Sequence, residues 1–404
     1  MKEGTIKVKT PGDGERMANL ELLRCVAMMM VVVLHYLGKG DLLGDLTEGQ
    51  LGSMGTAAWL LESFCIVAVN VYMFLSGYFL CMSQFKPSRL IQLWLQVWVY
   101  SVAFGLAGAA AGWLGDTAFD THYLLTLVFP VTMEHYWFMT AYIFLYLLLP
   151  FVGVAVRKMT KQQLQLSLGL LFLVFCLWKS ILPLRLETDA QGYDCLWYLC
   201  VFVAAAYLRR FGAGFLEKRG RSLALYVGGC LLVFGGTMVL RQVYLHTGSL
   251  ERMLKMCLEY NHVLPFAAAV GLFGIFYHIH LEGKAAAAVR RAAPHALGVY
   301  LLHENLGLRY AWQKWFGSEF LVSRYAAGGS QAAEVFGAVG SLLLWTVLAA
   351  AGVFVCGILV DMVRKVIFGL LHRGLMRIGL YRRGISWIES ADRVFGTNSG
   401  GKNG

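Results

Sequence analysis

The stretch Asn19-Leu-Glu-Leu-Leu-Arg24-Cys-Val-Ala-Met-Met-Met-Val-Val-Val-Leu-His35-Tyr36 decides the class of this protein. Its apolar run between Arg24 and His35, with its flanks, approaches the ~20 residues that a helix needs to cross a bilayer. The chain before it is polar as far as Glu15, and the run ends without a small-residue cleavage pattern. It therefore reads as a retained helix over roughly 18–37, not as a cleavable signal peptide.

The remaining sequence repeats this signal. Of 404 residues, 58% are hydrophobic and 15% charged, whereas a soluble domain carries about 25% charge because its surface must face water. A soluble enzyme, a disordered chain and a nucleic-acid-wrapping protein are excluded. Ten apolar runs are expected to span: 18–37, 59–81, 90–112, 136–156, 164–183, 195–208, 222–240, 262–281, 295–310 and 337–361. The piece from Tyr123 to Val131 is too short, and is expected either to be re-entrant or to lie along the membrane surface before Pro130.

The net charge of +11 is an orientation signal, and no nucleic-acid partner is expected. Alternating the loops from an inside N-terminus puts most Lys and Arg on one side. These include Lys7, Arg24, Lys86, Arg89, Arg157, Arg209, Arg210, Arg290 and the tail from Arg364 to Lys402. The other side collects Asp41, Asp45, Glu48, Asp116, Asp120, Glu187, Asp189 and Asp194. That asymmetry predicts an all-α integral membrane protein of about ten transmembrane helices with both termini cytoplasmic. The expected division is a tail over 1–17, a membrane domain over 18–361, and a basic amphipathic, then disordered, tail over 362–404. The nine cysteines show no CxxC pair, so neither a disulfide framework nor a zinc site is expected.

An ionisable group in a span costs about 2.5–3.5 kcal/mol on insertion scales, and its presence asks for a reason. Arg24 and His35 are eleven residues apart, which at about 100° per residue puts them on nearly one helix face, ~16 Å apart along the axis. Two readings stay open. The pair could form a line for an anionic ligand that reaches upward with a neutral reactive arm. Alternatively, Arg24 snorkels to headgroups, or pairs with Glu21, and His35 caps the outer end.

At this point the residues resemble a family. Glu21-Leu-Leu-Arg24 followed by His35 is similar to the first-helix signature of the acyltransferase family 3 membrane proteins. Val69-Asn70-Val-Tyr-Met-Phe-Leu-Ser76-Gly77-Tyr78-Phe79-Leu80 resembles the family's Ser-Gly-Tyr/Phe-Leu segment. Lys86-Pro-Ser-Arg89 stands where members often have Arg-x-x-Arg; the Lys lacks the bidentate fork suited to phosphate. His135-Tyr-Trp137-Phe138 resembles the His-Leu-Trp-Phe helix, and Val299-Tyr300-Leu-Leu-His303-Glu304 the late Tyr-Leu-Ile-His segment. The resemblance runs from about Asn19 to Asp361.

It implies an O-acyltransferase of the bacterial cytoplasmic membrane. An acyl group, usually acetyl, would move from cytoplasmic acyl-CoA to a hydroxyl of a cell-envelope or exported carbohydrate. Acyl-CoA is then a donor substrate, and no tightly bound cofactor or metal is expected. The partners are the donor, the carbohydrate acceptor, the lipid bilayer and glycan-assembly proteins. An alcohol is a poor nucleophile at neutral pH, and an imidazole that takes its proton is the usual aid. His35 is the candidate, as base or as transient acyl carrier. Arg24, Lys86 and Arg89 would hold the phosphates of coenzyme A. His135 and Trp137 either line the acceptor site or anchor at the interface, and His303 and Glu304 either support the site or make structural hydrogen bonds. Asn70 and Ser76 are expected to satisfy neighbouring helices, and Glu62 to be interfacial at a helix start. The competing reading is a multi-pass transporter or exporter of a small molecule or glycan precursor. No internal repeat of the kind such proteins carry is visible.

Overall fold

In lipid, a backbone must satisfy its own polar groups, and every long apolar run of this chain does so as α-helix. The computed structural model describes residues 17–115, 117–181, 189–325 and 331–396. The expectations for the N-terminal tail, for Asp116 and Glu187, and for the chain end from Thr397 lie outside the described residues.

α1 spans Ala18–Lys39. α2 (Gly52–Cys65) and α3 (Ala68–Leu80) form one bent crossing, interrupted only at 66–67. α4 (Pro87–Ala110) starts on Pro87, whose missing N–H is no loss in a first turn. α5 is the short Thr121–Val128, capped by the Asp120 side chain on the Tyr123 amide. α6 is Trp137–Lys158. α7 (Lys161–Phe172) opens on a Thr160/Gln163 capping box and runs through a π-turn into α8 (Trp178–Ile181). α9 (Cys195–Phe211), α10 (Arg219–Thr247), α11 (Val263–Tyr277) and α12 (Gly283–Ala292) follow. The chain continues as α13 (Ala296–His303), α14 (Trp312–Trp315), α15 (Ser318–Tyr325), α16 (Ala332–Leu375) and α17 (Gly379–Gly396).

Among the described residues, eight helices are long and apolar enough to cross a membrane, against ten expected. The sixth run, α9, has 17 residues, or ~25 Å, and is buried among its neighbours. The ninth run does not continue to 310. α13 stops at His303 after eight residues, because the next side chains are bound elsewhere. Asn305 Nδ2 donates to the Tyr100 carbonyl at 3.0 Å and to Tyr136 Oη at 2.8 Å. Gly307 then lies against α4, where a Cβ on Gly108 would collide with the Gly307 backbone and one on Gly307 with the Phe104 carbonyl. The last span continues beyond 361 without a break. α16 is one helix of 44 residues with no proline in it, and the separate amphipathic element is α17.

α3 packs on α9, α10 on α11, and α16 on both α1 and α13. The shared core includes Leu23, Tyr36, Phe74, Trp197 and Phe202. The outer surface is apolar instead of polar: Phe151, Leu166, Ile181, Phe336 and Val347 are exposed, as a lipid-facing surface requires.

The basic loops meet at one end of this bundle. Arg157 Nη1 donates to the Cys81 and Ser83 carbonyls at 3.0 and 3.3 Å, and Arg209 Nη1 to Tyr78 Oη at 3.0 Å. Arg210 donates to the Val156 and Met159 carbonyls. α17 docks at the same end, where the Ser88 amide and hydroxyl donate to the Asp392 carboxylate at 2.9 and 2.6 Å. Its Phe395 ring packs 4.9 Å from Phe85. At the opposite end, buried Lys179 Nζ meets Asp189 Oδ2 at 2.7 Å, Glu259 Oε2 at 2.6 Å and Asn261 Oδ1 at 2.6 Å. Burial raises the Asp189 carboxyl, but hydrogen bonds from Lys179 and Asn261 outweigh it and hold the group below its ordinary value. All nine cysteines are free thiols.

Asp361, 1% exposed, ties α16 to α4 and α13. It accepts from Gln96 Nε2 and Tyr100 Oη at 3.0 Å, and from Arg364 Nε at 2.7 Å; His295 Nδ1 lies 2.6 Å away. Gly298 permits this approach, since a Cβ there would strike the Asp361 side chain. Asp361→Ala should therefore destabilise the bundle by about 3–5 kcal/mol, the usual cost of removing one partner from a buried pair. A melting curve of the purified variant in detergent checks this, and an unchanged midpoint would refute the hub.

Candidate active site

α1 places Arg24 and His35 along one wall of a cavity of about 330 Å³, large enough for part of a substrate-sized ligand. Arg24, Ser83 and Arg89 line it towards the basic end of the bundle, and His35, Trp137, Tyr260 and Tyr300 towards the other. Apolar and aromatic side chains, among them Met28, Val31, Tyr72 and Leu297, join the two ends.

His35 is held from one side. Its Nδ1 lies 2.9 Å from His303 Nε2 and 2.9 Å from Glu304 Oε2. His303 Nδ1 is 2.6 Å from the Val299 carbonyl. A carbonyl only accepts, so His303 carries its proton on Nδ1 and presents Nε2 as an acceptor. His35 in turn carries its proton on Nδ1, and its Nε2 lone pair is the nitrogen left for chemistry. Glu304 is buried between cations: Lys39 Nζ pairs with Oε1, and Arg309 Nε sits 3.1 Å from the same oxygen. Desolvating a carboxylate is costly, and two fixed cations offset that cost.

His35, His303 and Glu304 also bring three ligand-type atoms within 4.8 Å of one another. A divalent ion there would face Lys39 and Arg309 on the same carboxylate.

The other sequence candidates separate. Arg24 pairs with Glu21 at 2.5 Å and keeps its place on the cavity wall, and the Tyr72 hydroxyl donates to its carbonyl at 2.8 Å. Arg89 reaches the cavity, with its guanidinium 5.9 Å from the Tyr146 ring centre. Lys86 is exposed at the start of α4, with its backbone held by Tyr146 Oη, and stays outside the cavity lining. Trp137 lines the cavity, stacked 5.8 Å from Tyr260 and tilted against Tyr193 at 4.5 Å. His135 does not. Its Nε2 accepts from the Leu306 amide at 3.0 Å, so its Nδ1 donates to Ser101 Oγ at 2.8 Å. With both nitrogens engaged and its ring stacked 3.9 Å from Tyr136, it braces the turn after α13. His135 thus stands off the cavity wall, in a supporting place.

Asn70 joins Trp197 Nε1 and the Tyr260 carbonyl, each at 2.8 Å, and Ser76 lies on the cavity wall. Glu62 is not at a helix start: it sits in the last turn of α2, and its Oε2 is buried without a partner among the described residues. Lys39, Arg309 and Tyr260 stand at the site without a place in the sequence expectations, and Tyr300 entered them only as part of the late motif. Lys39 had a signal, being one turn beyond His35, and both cations stand at the end where acids otherwise gather. Tyr260 had none, because it reaches the cavity from a loop distant in sequence.

Neither the curated proteins nor the solved structures give a match to this chain. A family model does: the acyltransferase domain, Acyl_transf_3, matches residues 17–361. This span contains both ends of the cavity, Arg24 and Arg89 at one and His35 with His303 and Glu304 at the other. The all-helical bundle, its lipid-facing exterior and this match over most of its length place the chain in the Acyl_transf_3 family of membrane acyltransferases.

Proposed function

We propose that this acyltransferase moves an acetyl group from acetyl-CoA to a hydroxyl of a cell-envelope or exported carbohydrate, in the bacterial cytoplasmic membrane. One observation carries the reading: a single cavity connects Arg24 and Arg89 to His35. The basic end faces the cytoplasm, in keeping with the location of its Lys and Arg. Arg24 and Arg89 bind phosphates of the donor, and Lys86 attracts them at the mouth. The apolar walls take the pantetheine arm, which delivers the thioester to His35, ~16 Å along α1 from Arg24.

At that end His35 Nε2 removes the acceptor's hydroxyl proton as the oxygen attacks the thioester carbon. Glu304, at Nδ1, stabilises the imidazolium that results. His303 holds the ring in the productive tautomer. Trp137 and Tyr260 offer faces on which a sugar ring can stack. The nitrogen then returns its proton to the departing thiolate, releasing free coenzyme A.

The test is transfer of label from radiolabelled acetyl-CoA to envelope glycans in membranes containing the protein. Label in the glycan supports the reading. No label in any fraction, with the protein folded and donor binding absent, would favour transport instead. Arg89→Ala should raise the KM for acetyl-CoA about tenfold, as expected for one lost charge-assisted hydrogen bond, with kcat nearly unchanged. An equal loss in kcat with KM constant would remove Arg89 from donor binding.

A further inference from the structure

We infer that the Tyr300 hydroxyl is the hydrogen-bond donor to the acyl carbonyl oxygen, stabilising the oxyanion formed when the acceptor attacks. This inference rests on the proposed acyl transfer at His35. Tyr300 is 5% exposed and lines the cavity beside His35. Its hydroxyl hydrogen is donated to no acceptor among the described residues, while its oxygen faces the Phe138 amide. The surrounding tyrosines differ. Tyr36 donates to the Phe316 carbonyl, Tyr72 to that of Arg24 and Tyr136 to that of Leu301. The hydroxyl of Tyr198 faces the Ser76 side chain, and Tyr198 is not part of the cavity lining. Leaving a buried hydroxyl unpaired costs about 1–3 kcal/mol, and a cost of that size at a cavity wall points to a ligand that removes it.

The placement suits a carbonyl. Tyr300, His303 and Glu304 stand at i, i+3 and i+4 on α13, one face of one helix. The element that holds the partners of His35 thus carries Tyr300 about one turn, ~5 Å, away. Its ring is edge-on to His303 at 6.1 Å and is flanked by Tyr136 at 5.8 Å and Phe138 at 6.2 Å. A phenol clamped this way is oriented before substrate arrives, which is what makes a donor effective towards developing charge. The Phe138 amide directs its N–H at the hydroxyl oxygen, which leaves the O–H hydrogen for the ligand. It belongs to the first turn of α6, where N–H groups lack intrahelical acceptors and the helix dipole is positive.

The step balances within the proposed chemistry. The acceptor O–H proton goes to His35 Nε2, and the oxygen lone pair forms the new C–O bond. The carbonyl π pair moves onto oxygen, where the Tyr300 O–H bond receives it. Collapse restores the carbonyl and breaks the C–S bond, and sulfur leaves with the proton from His35.

The experiment is Tyr300→Phe, assayed for acetyl transfer in membranes and for its melting midpoint in detergent. The expected result is a fall in kcat of about 10²-fold, the scale of losing one oxyanion donor, with both KM values within about twofold of wild type. The midpoint should stay close to wild type, because the hydroxyl hydrogen is donated to no group among the described residues. Wild-type kcat, a change confined to KM for the acceptor, or a loss of activity accompanied by a lower midpoint would each overturn the inference. A wild-type protein that transfers no label would instead overturn the proposed function, so the two failures are distinguishable.

Discussion

His35→Ala lowers acetyl transfer by about 10²–10⁴-fold, the range contributed by a positioned general base, while the protein still assembles and binds donor. The expectation follows from how little of the bundle depends on this ring. Its side chain is 22% exposed, it lines the cavity, and its side-chain partners His303 and Glu304 keep other contacts when it is gone. His303 retains the Val299 carbonyl, and Glu304 retains Lys39 and Arg309. The variant should therefore melt close to wild type and lose turnover, with KM for acetyl-CoA nearly unchanged. Membrane assays with labelled donor, alongside donor binding to the purified variant, separate these terms. Full activity would remove His35 from the mechanism. Acid-labile label on the wild-type protein itself would convert its role from base to acyl carrier.

Glu304→Gln should cost both activity and stability, and the second effect distinguishes it from His35→Ala. Neutralising this carboxylate leaves Lys39 and Arg309 facing an uncharged amide in a buried setting. Breaking a buried pair on one side typically costs about 3–5 kcal/mol, because the remaining charge is uncompensated. The imidazolium of His35 loses its counter-charge at the same time, so transfer should fall even in molecules that stay folded. Adding Lys39→Met should restore much of the melting midpoint, since one stranded cation is gone, but should not restore transfer. A single variant that melts like wild type, or a double variant that regains activity, would contradict this account.

These two residues also show how far the sequence could be read. The alignment of Arg24 with His35 needed only the 3.6-residue period, since both lie on one continuous helix. The gathering of basic loops at one end was equally readable, because the bilayer writes orientation into composition. Where a polar residue points was harder. His135 and His35 both stand at helix ends beside aromatic residues, and composition treats them alike. Ser101 and Leu306 engage both nitrogens of the first, whereas the second lines the cavity with its contacts made through Nδ1, and only the packed bundle makes that distinction.

The end of α13 had the same origin. A run of about 16 apolar-rich residues reads as a span, and whether His303-Glu304-Asn305 breaks it depends on partners that are far away in sequence. Those partners are Lys39 from α1 and Tyr100 from α4, with Tyr136 beside α6. The sequence by itself determined that the chain is helical, that it lives in lipid, which family it resembles, and that Arg24 and His35 share a face. Each is a local or compositional property, set by hydropathy, helical period or motif. The tertiary structure alone decided that Glu304 lies between two cations, that His135 is a brace, and that the buried Tyr300 hydroxyl finds no acceptor among the described residues on the cavity wall it shares with His35. Those are properties of distances between segments, and the energy of a buried polar group depends on what the folded chain brings to it.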